Sequence, residues 1–155
     1  MTVDEIRELM KEPRIRLAVA LHEAGHVLYG RRAGAVGEKY HGPLEHPDRP
    51  GEFGAAGVEL VFPTPGITVE SPAIARWLCA GSVVKRILCP HLWAEDEDAS
   101  DYDEFCRYVT PSLDSQEISD AWKEAQREVE RHLRSPAFRQ ELWALAREIE
   151  MKIPW

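Results

Sequence analysis

Ala20-Leu21-His22-Glu23-Ala24-Gly25-His26 is the stretch on which the reading of this chain turns. It contains His-Glu-x-x-His inside an apolar run, Leu17 to Tyr29, that repeats with helical period. On a helix, residues four apart lie one turn above each other. His22 and His26 would then share a face and reach one metal ion, the spacing that zinc hydrolases use. Glu23 follows the first histidine and would stand beside the open side of such a site, placed to take a proton from an attacking water. Gly25 sits between the two histidines. A glycine inside a helix costs about 1 kcal/mol relative to alanine, so it signals a packing need. Together with Ala24 it would let another segment approach the ligand turn.

Working outward, Leu17, Leu21, Ala24 and Leu28 form an apolar stripe, which predicts a helix from Arg14 to Ala33 with Gly34 as its stop. A short amphipathic helix over 3–11 precedes it and ends at Pro13. Residues 37–57 are rich in Gly and Pro and read as one long loop, of the kind that often serves as a lid or binding loop. Val58-Glu59-Leu60-Val61-Phe62 reads as a strand, and its Gly and Pro flanks suggest a sheet edge. Ser71-Pro72 is a helix start, and that helix should run to Leu88, apolar on most sides and central. Residues 95–101 read as an acidic loop, with Ser100 capping a short helix through Tyr108. Two amphipathic helices follow, at 116–133 and 136–150. Ile118, Trp122, Ala125 and Val129 face inward on the first. Phe138, Leu142, Leu145 and Ile149 do so on the second. The expected fold is mainly α (α+β), with a small β element beside the His-Glu-x-x-His helix.

The chain has 155 residues, 44% hydrophobic and 30% charged, enough for one globular domain spanning 1–155. Its net charge of −8 argues against nucleic acid and anionic membranes as partners. No apolar run approaches the roughly 20 residues of a membrane span, so no membrane insertion is expected. The charged N-terminus does not read as a signal peptide. Three cysteines without a CxxC pair fit reduced thiols and a cytoplasmic location. Cys79 and Cys89 lie in apolar helical sequence and read as core residues rather than nucleophiles. Of the five tryptophans, only Trp155 is expected to be exposed, as the mark of a contact surface.

A catalytic zinc site needs a third protein ligand. The extended pattern HExxHxxGxxH fails, because Tyr29 and Arg32 stand where it requires Gly and His. The residues alone leave several candidates open: His41, His46, His91 and the carboxylates of 95–104. An acidic run is ordinarily a solvated face, and this one lacks the glycine and spacing of a calcium loop.

From Ile15 to about Ile149 the chain resembles the peptidase domain of the FtsH family of ATP-dependent zinc metalloproteases. Ala20 to Gly30 is similar to the family's HEAGHALVG-like helix. Gly54 to Pro63 resembles its glycine-led strand. Leu78-Cys79-Ala80-Gly81-Ser82-Val83-Val84 resembles its LLGGRAAE helix, and Asp98-Ala99-Ser100-Asp101-Tyr102 its GA-x-[NS]-D-[LI] segment. The resemblance implies one Zn²⁺ per chain, held by His22, His26 and Asp101, with Glu23 as general base. The expected activity is hydrolysis of peptide bonds in flexible or unfolded polypeptides. Such a substrate would be bound by β-addition along Gly57, Val58, Glu59 and Leu60. The family's ATPase domain is not in this sequence, so an ATP-independent enzyme is expected, with a separate ATPase partner and a homo-oligomer left open. Two other readings compete. One is a catalytically inactive polypeptide-binding module of the same fold. The other is a zinc hydrolase of a non-peptide amide, which would use the same residues with a different pocket.

Overall fold

The computed structural model describes residues 2–45, 50, 53–54, 56–63, 71–92, 95–109 and 112–155. The fold is mainly helical with a small antiparallel β element. The helices are α1 (Val3–Leu9), α2 (Pro13–Arg32), α3 (Ser71–Leu88), α4 (Glu95–Val109), α5 (Ser115–His132) and α6 (Pro136–Lys152). Between α2 and α3 lie β1 (Gly37–His41), β2 (Leu44–Glu45), β3 (Phe53–Gly54) and β4 (Gly57–Val61). A single 3₁₀ turn, Pro90–Leu92, links α3 towards α4. No helix among the described residues is long and apolar enough to cross a membrane. His46 and Trp93 lie outside the described residues.

The helix holding the His-Glu-x-x-His run starts where its chemistry allows. Pro13 occupies the first turn, where a missing N–H costs nothing. It ends in a Schellman motif: Gly34 adopts φ +106°, its N–H donates to the Arg31 carbonyl (3.1 Å), and the Ala35 N–H donates to the Gly30 carbonyl (2.9 Å). Ala18, Ala20, Leu21, Ala24, Val27, Leu28 and Tyr29 are all buried, so α2 is enclosed on most sides rather than along one stripe. It packs against α3, α6 and β4. The closing pair α5 and α6 buries the faces that the sequence predicts. Trp122 lies against Phe105 of α4, with ring centroids 5.4 Å apart, and ties α5 to α4.

Three expectations need correction. Residues 37–57 are not one loop, because β1 pairs antiparallel with β4 in the register Gly37↔Val61 to His41↔Gly57. Glu-Lys-Tyr-His carries no alternating apolar signal, and its strand state rests on the partner's backbone groups. The acidic run is not a loop either. Residues 95–101 form the first turns of α4, and Ser100 lies inside that helix. Trp155 is half-buried against the core, and its indole N–H donates to the Glu150 carbonyl (2.8 Å).

Candidate metal centre

His22 and His26 occupy successive turns of α2, and their Nε2 atoms stand 2.9 Å apart, both turned to one point. The Trp77 carbonyl of α3 lies 2.9 Å from His26 Nδ1. A carbonyl only accepts, so this contact places the proton on Nδ1 and leaves the Nε2 lone pair for a cation. Metal-binding histidines commonly carry such a partner. Two glycines make the arrangement sterically possible. A Cβ on Gly25 would meet the Ala80 carbonyl oxygen at 2.7 Å, so α2 and α3 touch backbone to backbone there. One residue on in each helix, a Cβ on Gly81 would overlap the His26 ring, with Cδ2 at 2.7 Å. The close approach that Gly25 signals in the sequence is the contact with Ala80 and Gly81.

Asp101 of α4 completes the group. Its Oδ2 lies 3.7 Å from His26 Nε2, and both side chains are 14% exposed. One ligand atom from each of His22, His26 and Asp101 falls within 4.8 Å of the others, and no other such group occurs among the described residues. The donor set suits zinc: two imidazoles and one carboxylate. Asp101 Oδ2 is also buried without a hydrogen-bond partner, a costly state that a cation would relieve. The competing candidates are placed elsewhere. Asp98 accepts from Ser82 Oγ (3.0 Å) and Gln126 Nε2 (3.3 Å), fastening α4 to α3 and α5. His91 is exposed on the 3₁₀ turn.

Glu23 points towards β4, where the Val58 N–H donates to its Oε2 (2.9 Å). Gly57 leaves open the space beside it. A Cβ there would lie 3.4 Å from Glu23 Oε1 and 3.2 Å from His41 Nε2. His41 therefore faces Glu23 and stands outside the group of His22, His26 and Asp101. Only the pairing His41↔Gly57 brings it there, which a loop reading of 37–57 cannot show. Of the expected substrate-binding residues, Val58 thus meets the site directly and Gly57 borders it. Leu60 packs over Gly30, and Glu59 is exposed. Because the Val58 N–H is turned to Glu23, ladder alternation turns the Val58 carbonyl and the Leu60 N–H away from β1, along the edge of β4 that has no strand partner among the described residues.

The site's electrostatics follow from burial. Burial holds His22 well below the usual histidine range, and the neighbouring His26 adds to the effect. Burial raises Glu23, against the pull of His26 and the Val58 N–H. Burial pushes Asp101 up to about 7, with Glu104, Glu23 and Asp98 adding to it and His26 opposing. Burial also opposes charge on His26, but Asp101 and Glu23 outweigh it and raise that group. For His22, Glu23 and Asp101, burial in each case favours the neutral form. Cys79 is buried, and its thiol is raised far above the thiolate range, which suits a core residue.

Comparison with models of known protein families, with curated proteins and with solved structures finds no match to this chain.

Proposed function

We propose that this chain is a zinc-dependent metallopeptidase acting on flexible or unfolded polypeptides, as its resemblance to FtsH-type peptidase domains implies. The observation that carries the reading is the convergence of His22, His26 and Asp101 from two helices, with Glu23 beside them. Those three residues would hold the ion. Bound zinc supplies a Lewis acid that polarises water and the scissile carbonyl.

The remaining steps belong to the chain. Glu23, raised by burial, is a stronger base than a solvated carboxylate. It takes the proton of the attacking water as the C–O bond forms. It then delivers that proton to the leaving nitrogen as the C–N bond breaks. The Trp77 carbonyl keeps the His26 ring in one tautomer and one orientation. The edge of β4 away from β1 would hold an extended substrate by main-chain hydrogen bonds, close to Glu23. Such a cleft accepts an unfolded segment and excludes a folded domain.

The test is removal of the metal. Treatment with a chelator should abolish cleavage of an unfolded protein such as casein, and added zinc should restore it. Cleavage that survives complete zinc removal would refute the proposal.

A further inference from the structure

Beside the metal ligands lies a cavity of about 350 Å³ whose walls include His26 and Asp101. Three aromatic rings line it in a row: Phe62, Trp77 and Tyr108. The Phe62 and Trp77 centroids are 4.6 Å apart and those of Trp77 and Tyr108 5.7 Å. Its other wall carries carboxylates. Asp101, Glu104 and Tyr108 are spaced three and four residues apart, so they share one face of α4. Glu59 faces the same cavity from β4. Both Glu59 and Glu104 are exposed, and neither has a hydrogen-bond or ion-pair partner among the described residues. Among the described residues, His26 is the only lining side chain that can carry positive charge, and it belongs to the proposed ligand set.

We infer that this cleft receives the side chain of an arginine or lysine of the bound polypeptide, next to the scissile bond. The inference rests on the peptidase reading for the position of that bond, but not for the chemistry of the cleft. Aromatic faces attract a cation and cover its apolar stem, and carboxylates at the rim meet its charged head. A purely apolar side chain would use the rings and strip water from Glu104 and Glu59 without replacing it. An acidic one would be repelled by both. The net charge of −8 draws cationic segments to the molecule as a whole.

The test uses short, labelled, unstructured peptides identical except for one central residue: Arg, Leu, Ala or Glu. Fluorescence anisotropy gives their affinity for the zinc-loaded Glu23→Gln chain, in which the peptide is not consumed. The Arg peptide should bind about tenfold tighter than the Ala peptide, from one cation–π contact and one or two ion pairs. Glu104→Gln should cut that ratio several-fold, and Glu59→Gln should cut it less. Equal affinity for the Arg and Leu peptides would overturn the inference. So would a preference untouched by either substitution, or no binding of the Arg peptide. Turnover of the same peptides by the chain with Glu23 intact separates the two readings. No cleavage of any peptide, with the Arg preference intact, would remove the peptidase reading and leave the cleft assignment standing. Cleavage without preference would do the reverse.

Discussion

Gly81 has no side chain because the His26 ring occupies the space where one would stand. Gly81→Ala must therefore move the ring or part α2 from α3. Disturbing a group that orients a metal ligand costs roughly 10- to 100-fold in metal affinity. A loss in that range is the expected result, read by competition with a chromophoric chelator. Gly34→Ala is the contrast: its positive φ costs about 1 kcal/mol of stability with alanine, and zinc affinity should not change. Asp101 makes a second case. Its Oδ2 is buried without a hydrogen-bond partner, and the nearby His26 is set against the negative charges of Glu104, Glu23 and Asp98. Above pH 7 the carboxyl is ionised, so chelator-treated Asp101→Asn should be more stable than chelator-treated wild type, by about 1 kcal/mol. The same variant should bind zinc much more weakly. A variant that is less stable without metal and binds zinc as well as wild type would put the third ligand elsewhere.

At the level of elements, the site depends on β4 holding its place over α2, and β1 fixes β4. Arg31 of α2 reaches Glu38 of β1 (2.5 Å), and Tyr40 donates to the same carboxylate (2.8 Å). The hydrogen bond from Arg31 holds Glu38 below the usual carboxylate range, and that from Tyr40 adds to it. A carboxyl depressed in the folded state stabilises the fold fully above its unfolded value, near 4.5. The contribution is lost as pH falls through the lower folded value. Arg31 is partly in solvent, which screens the pair. Glu38→Gln should therefore cost only about 1 kcal/mol at pH 7. The difference between wild type and variant should shrink below pH 4.5, as followed by urea denaturation. A difference constant from pH 7 to pH 3 would mean that packing, not the ion pair, holds the two elements together.

Across the whole molecule, what the sequence shows depends on how local each cause is. His22, Glu23 and His26 are legible because the helical period alone brings them together. The end of α2 and the starts of α3 and α6 are legible from Gly34, Ser71-Pro72 and Ser135-Pro136, since such signals act within one turn. Two elements were hidden for physical reasons. Gly37–His41 has no pattern of its own and is a strand only through β4. The start of α4 looks like solvated charge, because the bonds that Asp98 makes to α3 and α5 cannot be read from the run itself. Features made by distant segments were out of reach: His41 facing Glu23, the Trp77 carbonyl on His26, and the cleft between β4 and α4. On residue grounds Asp101 is one of several candidates, and the family resemblance is what points to it. In the structure it is the carboxylate that meets both histidines.

The central claim is that three ligands hold one zinc ion and that Glu23 moves the proton. The most direct measurement is zinc content beside casein hydrolysis, on wild type and Glu23→Gln prepared together. The account predicts one zinc per chain in both and cleavage by wild type alone. Hydrolysis by Glu23→Gln at the wild-type rate, or no zinc in either protein after the metal has been supplied, would contradict it.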